Sequence, residues 1–444
     1  MTPEHEPLTA EQIVADSKRY TMYDWQAQST ASPLAIDRAE GVYMYGVDGR
    51  RWLDFNSQLM GVNIGHGDKR VTEAIARQAE RLPYISPFQA FEGRAVLGRK
   101  LAQVWPGGIE KTFFTLGGAE ANENGVKIAK TVTGRQKVLA RYRSYHGSTY
   151  ATMMLTGDPR RWPNEQPAMP GVVHVLDPYH GPEREVDDAS TALALLEETI
   201  ELEGPQTIAA FILEPVTGTN GVLIPPDGYL QGVRELCTRF GIMMIADEVM
   251  CGWGRTGEWF AVDHWGVVPD IITTAKGLTS SYAPLGAVGL APHVAAHFED
   301  AVFWGGLTYN THPLGVAAAI AAIQVLEDDD LVGNAKRLEP VMRTHHEALA
   351  AKHPSVGRYR NIGLFGILEL VKDRETLEPL SPFNQKNETM QELDRFLLDN
   401  GLSTFVRWWN VMTNPPLCIN EEQLAEGFEI IDRALDIADA VMDG

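Results

Sequence analysis

Two stretches near the middle of the chain indicate its fold: IMMIADEVMCGWGRTG at residues 242–257 and PDIITTAKGL at residues 269–278. Each opens with a short run of β-forming residues that ends near a charged side chain, Asp247 in the first and Lys276 in the second. Such runs are typical of strands buried on both faces of a parallel sheet. The 29 positions from Asp247 to Lys276 suit one crossover between neighbouring parallel strands. We therefore expect both side chains at one edge of a sheet.

Similar runs recur along the middle of the chain and alternate with helical patterns. The predicted strands span residues 111–115, 137–142, 208–213, 242–246, 271–275 and 286–291. Amphipathic segments at 119–131 and 227–240 have apolar residues at helical spacing. This alternation predicts an α/β fold with a mainly parallel sheet, in which ligands bind at the carboxyl ends of the strands.

The two ends of the chain have a different pattern. Residues 41–55 hold Gly46-Val47-Asp48-Gly49 between aromatic-rich runs, which predicts a hairpin. Residues 331–444 combine long helical patterns with two short predicted strands. We predict an N-terminal segment, 1–65, that joins a smaller α+β domain, a large domain at 66–330, and a C-terminal part of the small domain at 331–444.

Composition excludes several classes of function. The 444 residues have a formal net charge of −21, which would repel nucleic acid and anionic membranes. Three scattered cysteines are too few for a disulfide framework or a thiolate metal site, so we expect no metal and a reducing cytoplasm. The amino terminus is polar and acidic rather than typical of a signal peptide, and no apolar run reaches the ~20 residues needed to span a bilayer.

Lys276 and Asp247 are the strongest candidates for chemistry. A lysine against an apolar wall has its ammonium form disfavoured and becomes a nucleophile towards aldehydes. A buried aspartate needs a cationic partner, and a pyridinium nitrogen supplies one while the carboxylate keeps the ring protonated. The alternatives are a lysine that reaches solvent at a strand end and an aspartate that caps a following helix.

Other predicted strand ends add groups of complementary chemistry. GGAEANE at 117–123 opens a helix and offers backbone amides to an anion, although a tight strand-to-helix turn uses the same residues. SYHGST at 144–149 places Tyr145 and His146 after a strand, where the tyrosine either stacks on a planar ring or belongs to the core. Glu214 ends a further strand. The predicted strand ends together offer an anion-binding turn, an aromatic ring, two acids and a lysine. This set fits a phosphorylated pyridine aldehyde.

One motif indicates a different cofactor. Residues 252–257, GWGRTG, have the spacing of the dinucleotide-binding fingerprint. Five residues separate them from the preceding strand, and no continuous strand–turn–helix unit is expected around them. We therefore do not predict a nicotinamide or flavin site.

These motifs together resemble those of the class III aminotransferases, a branch of the fold-type I pyridoxal-phosphate enzymes. The resemblance runs from about Thr21 to near the carboxyl terminus and rests on ADEVMCGWGRTG, PDIITTAKGL, ILEPV, SYHGST and GGAEANE in that family's usual order. It implies a large domain with a mainly parallel seven-stranded sheet and a smaller domain built from both chain ends. It also implies pyridoxal 5'-phosphate as cofactor and a homodimer or dimer of dimers.

The resemblance assigns roles to individual residues. Lys276 would bind the cofactor covalently, Asp247 would pair with the ring nitrogen, and Tyr145 and Val249 would cover the two ring faces. Gly118 and Ala119 would hold the phosphate, with Thr308 reaching it from the neighbouring subunit. His146 and Glu214 complete the predicted cofactor contacts.

Some residues depart from the family's pattern. Many relatives have Ser-Gly-Ser/Thr where this chain has Gly117-Gly118-Ala119, so backbone amides must replace hydroxyl contacts to the phosphate. Met60 stands where amine-specific relatives often have tryptophan. Together with Trp25 and Arg407, it forms the predicted substrate contacts. Arg407 would bind a substrate carboxylate, and the alternative is a surface arginine stacked on a neighbouring tryptophan.

The resulting prediction is an aminotransferase that moves an amino group from an ω-amine, β-amino acid or taurine-like donor to a 2-oxo acid such as pyruvate. Lys276 would act as anchor and general base. The nearest alternative is an aminomutase or decarboxylase on the same scaffold, because a fold does not fix a reaction. A cofactor-binding regulator and a nucleotide-linked oxidoreductase are more distant alternatives.

Overall fold

A computed structural model of the protein describes residues 7–164, 169–178 and 189–442. Its strands, numbered in chain order, are β1 Ile36–Glu40, β2 Tyr43–Gly46, β3 Arg51–Asp54, β4 Lys111–Thr115, β5 Lys137–Arg141, β6 Val172–Val175, β7 Ile208–Leu213, β8 Met243–Asp247, β9 Ile271–Thr274, β10 Gly286–Leu290, β11 Val356–Ile362, β12 Phe365–Leu370, β13 Leu402–Ser403, β14 Val406–Arg407 and β15 Asn410–Thr413.

Helices lie between and around these strands. The α-helices span Ala10–Tyr20, Lys69–Arg81, Glu92–Val104, Gly118–Thr133, Tyr150–Leu155, Ala189–Glu203, Tyr229–Phe240, Pro292–His297, Pro313–Asp328, Leu331–Lys352, Glu388–Asp399 and Glu421–Asp439. Shorter 3₁₀ turns occur at Gln28–Thr30, Pro106–Gly108, Pro159–Asn164, Pro205–Thr207, Ala261–Trp265 and Lys276–Leu278. None of the helices in the described ranges is long and apolar enough to cross a membrane.

The central sheet has seven strands in the order β4-β10-β9-β8-β7-β5-β6. Strand β10 runs antiparallel to both of its neighbours, and the other neighbouring pairs are parallel. This confirms the predicted α/β fold with a mainly parallel sheet. All six predicted strands are present with ends shifted by at most one residue. The seventh, β6, was missed because its four residues include a central histidine.

Burial explains why the central strands could be recognised. Every residue of β7 and β9 is buried, since helices pack on both faces of the sheet. Helix Tyr229–Phe240 covers one face with the apolar side chains expected from its spacing, among them Val233 and Leu236. Strands β8 and β9 are parallel neighbours, so Asp247 and Lys276 reach the same sheet edge as predicted.

Two smaller sheets are built from the ends of the chain. One has the order β1-β2-β3-β13 and joins the predicted hairpin of β2 and β3 to a strand near the carboxyl terminus. The other has the order β11-β12-β15-β14. The C-terminal part therefore contributes five strands, so the expectation of two was wrong. Strands β13 and β14 have two residues each, too few to leave a periodic pattern. The domain boundaries at residues 65 and 330 stay a prediction.

Candidate active site

A cleft of about 880 Å³ opens at the carboxyl ends of the parallel strands. The predicted site residues that line it are Trp25, Met60, Gly118, Ala119, Tyr145, His146, Glu214, Asp247, Val249, Lys276 and Arg407. Thr308 is the exception. Parallel strands place their carboxyl ends at one edge, which explains why residues more than a hundred positions apart in the chain meet here.

Asp247 lies at the centre of a buried hydrogen-bond network. Its Oδ2 is 2.7 Å from His146 Nδ1 and accepts a hydrogen bond from Asn122 Nδ2 at 2.7 Å. Asn122 Oδ1 accepts from Thr273 Oγ1 at 2.6 Å, which fixes the amide. Asp247 Oδ1 accepts from Val249 N at 3.0 Å. No α-helix follows β8 directly, so the alternative of a helix-capping aspartate is wrong. Sequence reasoning missed Asn122.

Lys276 follows β9 by two residues and faces the cleft rather than bulk solvent. Burial lowers the pKa of its ammonium group, and Arg160 lowers it further, while the carboxylates of Asp247 and Glu214 oppose the shift. Its backbone has φ 44°, an uncommon conformation for a residue other than glycine. In these surroundings a larger fraction of the lysine side chains is neutral, and the neutral amine is the form that attacks an aldehyde.

The start of helix Gly118–Thr133 provides the predicted anion site. Gly117 precedes the first turn in an extended conformation, and the first amides of the helix are available to a ligand. A Cβ added at Gly118 would lie 2.8 Å from Val249 Cγ1, so only glycine permits this close approach. The backbone thus reaches the cleft at the point where Val249 forms its wall.

Glu214 and Tyr145 occupy the side of the cleft formed by β7 and β5. Glu214 is buried and accepts from Tyr145 N at 3.0 Å and from Gly218 N at 2.8 Å. Burial raises the pKa of its carboxyl group. Tyr145 is half-buried and its ring faces the guanidinium of Arg160, whose Cζ is 3.6 Å from the ring centroid. The Tyr145 ring therefore lies in the cleft wall.

A cluster of three charged groups lies at the outer part of the cleft. Asp158 Oδ2 accepts from Arg160 Nη2 at 2.5 Å and from Arg407 Nη2 at 3.1 Å. Burial opposes ionisation of Asp158, but the two arginines outweigh it and lower its pKa. Burial lowers the pKa of Arg407 to about 10. Sequence reasoning missed Asp158 and Arg160, because a Pro-Arg-Arg segment in a loop carries no recognisable pattern.

Arg407 has features of both predicted arrangements, an arginine in the cleft and an arginine stacked on a tryptophan. Its guanidinium stacks over Trp408, with Cζ 4.3 Å from the ring centroid, as predicted for an arginine stacked on a neighbouring tryptophan. The side chain is nevertheless only 11% exposed and lines the cleft, so it is not a surface arginine. Met60 and Trp25 line the same outer part.

Thr308 lies apart from the cleft of its own chain. It is exposed and lines a separate surface depression, where its carbonyl accepts from Tyr84 Oη at 2.9 Å. The same depression includes Phe88 and Leu307, whose side chains are exposed apolar surface. Thr308 and Gly118 thus line different pockets of the chain, and the contact of Thr308 with the phosphate from a neighbouring subunit stays a prediction.

The family of the chain follows from comparison with known proteins. The family model described as "Aminotransferase class-III" matches residues 25–435. The chain is a class III aminotransferase. Its cofactor is pyridoxal 5'-phosphate, and it passes an amino group from an amine donor to a 2-oxo acid.

Relatives of this aminotransferase differ in their substrates. The solved taurine:2-oxoglutarate aminotransferase of Bifidobacterium kashiwanohense, in complex with PLP and glutamate, is 39% identical with a TM-score of 0.95, covering 99% of this chain and 100% of that one. The putrescine–pyruvate aminotransferase of Pseudomonas aeruginosa is 33% identical, covering 93% of this chain and 92% of the relative. The taurine–pyruvate aminotransferase of Bilophila wadsworthia is 33% identical over 83% of this chain and 84% of the relative.

The cleft of this aminotransferase fits pyridoxal phosphate on its own geometry. Gly118 leaves backbone amides open to a phosphate, and Lys276 presents an amine for the aldehyde. Asp247 is buried, and within the described residues no lysine or arginine forms an ion pair with it. A protonated ring nitrogen would supply that missing charge. His146 Nε2 is also buried without a protein partner.

Proposed function

We propose that this aminotransferase takes its amino group from a donor that carries a sulfonate or carboxylate at the far end, such as a β-amino acid or taurine, and gives it to a 2-oxo acid such as pyruvate. The observation that carries the proposal is the position of Arg160 and Arg407 on either side of Asp158 in the outer cleft. Two guanidinium groups share one carboxylate, so a net positive charge faces the substrate.

The reactive amine and the two guanidinium groups line one cleft, which suits such a donor. Arg160 is close enough to Lys276 to lower the pKa of its amine by repulsion. An ω-amino acid has its amine and its anion at opposite ends of a short chain. Its amine would reach Lys276 while its anion reaches the guanidinium groups. A diamine would instead bring a second ammonium to two arginines, which like-charge repulsion disfavours.

The residues of the inner cleft divide the chemistry among them. Pyridoxal phosphate, when bound, supplies an electron sink for charge that develops at the substrate carbon. Lys276 anchors the cofactor and, once displaced by substrate, carries the proton from the substrate carbon. Asp247 holds the ring nitrogen in its protonated form, and Asn122 and His146 keep that carboxylate in place.

Binding of the cofactor would use the remaining predicted residues. Tyr145 and Val249 would enclose the ring from opposite faces, and Glu214 would stay hydrogen-bonded to the backbone beside it. Backbone amides at Gly118 and Ala119 would bind the phosphate. The absence of hydroxyl groups at positions 117–119 is expected to make this contact weaker than in relatives with Ser-Gly-Ser/Thr.

A homodimer would complete the site. Thr308 and the exposed Phe88 line one surface depression, and the exposed aromatic residues Trp304 and Tyr309 are close to Thr308 in the chain, so a partner subunit would find apolar surface to bury here. In the proposed dimer, Thr308 of each chain reaches the phosphate site of the other. We further propose that the enzyme works in the cytoplasm, since all three cysteines are unpaired.

The experiment is a donor panel with a common acceptor. Taurine, β-alanine, putrescine and 1-phenylethylamine are each supplied with pyruvate, and alanine formation is followed. We expect kcat/KM to favour the two anionic donors, and Arg160→Met to remove that preference. Arg234→Met is the matched control, because Arg234 pairs with Asp270 away from the cleft. A preference for putrescine in the unmodified enzyme would refute the proposed donor class while leaving the aminotransferase assignment intact.

A further inference from the structure

Four consecutive residues, of which the last two line the cleft, form a left-handed turn. Ser57, Gln58, Leu59 and Met60 have φ values of 47°, 47°, 65° and 54°. None of them is glycine. For L-amino acids this conformation places Cβ against the following carbonyl oxygen, so each residue is strained and a run of four is rare. Such a turn persists only when surrounding contacts hold it.

The strained turn carries side chains that shape the cleft. Leu59 and Met60 both line it, and Met60 is 1% exposed. A change from left-handed to ordinary backbone would rotate both side chains away from their present positions, because φ and ψ set the direction of each Cα–Cβ bond. The shape of this wall therefore depends on keeping the turn in place.

Side chains from distant parts of the sequence hold the turn. Ser57 Oγ donates to the carbonyl oxygen of Asn414 at 2.6 Å and accepts from Arg255 Nη2 at 2.9 Å. Asp54 Oδ1 accepts from the amides of Asn56 and Gln58 at 3.2 and 3.3 Å. The turn is thus bound at its start from both Arg255 and the C-terminal part of the chain.

Arg255 belongs to the GWGRTG segment, whose resemblance to a dinucleotide fingerprint left its role open. Its side chain is fully buried. Besides Ser57, its guanidinium donates to the carbonyl oxygens of Leu364 and Pro415 at 3.1 and 2.5 Å and to Asn63 Oδ1 at 3.3 Å. Burial lowers the pKa of Arg255 to about 9, against the attraction of Asp54. Among the described residues, no carboxylate forms an ion pair with it.

A buried guanidinium without an ion-pair partner is unfavourable unless its hydrogen bonds compensate. Here those bonds connect three separate segments: the turn, the loop before β12 and the loop after β15. Arg255 itself follows Asp247 by eight positions in the chain.

We propose that Arg255 is a positioning residue for donor specificity, because it holds the strained turn at 57–60 and thereby fixes Leu59 and Met60 as the wall that limits donor bulk. The proposal rests on the donor binding in the outer part of this cleft. It does not depend on the charge of the donor. Arg255 acts through the turn and touches neither substrate nor cofactor.

The test compares two donors that carry no anionic group, isopropylamine and 1-phenylethylamine, with pyruvate as acceptor. In Arg255→Lys and Ser57→Ala we expect the ratio of kcat/KM for the bulky donor to that for the small donor to rise at least about tenfold, the scale of one pocket contact. The change should appear mainly in KM. The visible absorbance of the bound cofactor should stay as in the unmodified enzyme. Ser57→Ala keeps Arg255 in place, so the test remains informative if Arg255→Lys folds poorly.

Two further variants separate this role from general structural support. Gln58→Gly relieves strain at an exposed position of the turn, so in the Arg255→Lys background it should return the donor ratio towards the original value. Arg135→Lys is the matched control, because Arg135 also binds several backbone carbonyl oxygens but lies away from the cleft. It should lower thermal stability without changing the ratio.

The outcomes are distinct. Equal losses for both donors, or loss of the cofactor absorbance, would overturn the proposal and make Arg255 a structural residue. Failure of Gln58→Gly to restore the ratio would show that Arg255 does not act through the turn. Because neither donor carries an anionic group, a failed preference for donors with a sulfonate or carboxylate would refute only the proposed function and not this inference.

Discussion

The inner and outer parts of the cleft are built differently. The inner part places Asp247, Glu214 and Lys276 at or just beyond the ends of neighbouring central strands, where buried hydrogen bonds fix the two carboxylates. The outer part includes Met60 and Arg407, with Asp158 bound to Arg407 behind them, so its groups come from loops and short strands of three distant regions. Groups on a rigid sheet suit chemistry common to the whole family, while groups on loops are free to change with the substrate.

The electrostatics of the two parts differ in the same way. Asp247 accepts hydrogen bonds from Asn122 and Val249 and lies beside His146, with no lysine or arginine in an ion pair with it among the described residues, whereas Asp158 is already paired with two arginines. Changes in the inner part should therefore slow the reaction of every substrate. Changes in the outer part should separate one substrate from another.

Lys276→Ala is expected to have the largest effect. Loss of the amine should reduce turnover at least about 10⁴-fold for all donors, because anchor and proton carrier disappear together. The visible band of the bound cofactor should be lost while the circular dichroism stays unchanged. Lys130→Ala is the control, since Lys130 also has a pKa lowered by burial but lies in the last turn of helix Gly118–Thr133, outside the cleft. A cofactor adduct that borohydride still reduces in Lys276→Ala would contradict the assignment.

Asp247→Asn should be the next most severe change. The neutral amide cannot hold a pyridinium, so the half-reactions should slow by about 10²–10³-fold, equally for anionic and neutral donors. Cofactor should remain bound, as measured by absorbance after gel filtration. Asn122→Ala should give a smaller loss with the same lack of discrimination. Near-normal rates for Asp247→Asn in stopped-flow half-reactions would make that carboxylate merely structural.

Arg407→Ala tests whether the outer part discriminates. Pyruvate and alanine should bind more weakly by about 2–4 kcal/mol, the scale of a lost buried charge pair. A monoamine without a carboxylate should be almost unaffected in its own half-reaction. The measurement is the substrate concentration at half-maximal rate in each half-reaction. Equal losses for both substrate types would show that Arg407 supports the pocket and that the division between the two parts is wrong.

A mixed-dimer experiment asks whether the inner part is complete in one chain. Thr308→Asp should weaken cofactor binding about tenfold or more, because its carboxylate would repel the phosphate. Lys276→Ala chains are expected to be nearly inactive and Thr308→Asp chains to lose activity at a limiting cofactor concentration, but a hybrid would have one site with an intact lysine and an intact threonine from its partner. Recovery of activity on mixing, measured with light scattering to follow assembly, is the expected result. No recovery in a confirmed hybrid would place Thr308 outside the site.

The smallest expected effect is that of pH on the outer part. The pKa of Asp158 is lowered from its ordinary value of 3.8, so the carboxylate is ionised at any pH above 3.8. Its ion pairs therefore contribute folding stability above pH 3.8, and this stability is lost only as the pH falls through the lowered pKa. Arg407, with a pKa of about 10, stays protonated below that value. Affinity for a non-reactive carboxylate inhibitor should therefore stay flat between about pH 6 and pH 9. A steep change within that window would require another titrating group at the anion site.

Sequence reasoning succeeded where local pattern and chemistry coincide. Asp247 and Lys276 end runs that are recognisable as buried strands, and their chemistry follows from that position. Asn122 could have been found, because a polar residue on the buried face of its helix needs a partner. Arg160 offered no such signal, since it becomes a cleft residue only through its contacts with Asp158 and Tyr145.

The left-handed turn was beyond any local signal. Ser57 to Met60 contain no glycine, and sequence alone predicts ordinary backbone for them. Their conformation is imposed by Arg255 and Asn414, which lie 198 and 357 positions away from Ser57. Information of this kind resides in tertiary contacts and not in the segment that they shape.

The pairing of β3 with β13 also has a consequence for how the chain acquires its structure during synthesis. Leu53 pairs with Leu402, so the N-terminal hairpin waits for residues near the end of the chain before its sheet is complete. The neighbouring strands β7, β8 and β9 have much shorter connections, so we expect them to pair before β3 pairs with β13, because short loops close faster than long ones. On this expectation a nascent chain brings Lys276 and Asp247 together before it completes the wall at the turn 57–60, which needs Asn414.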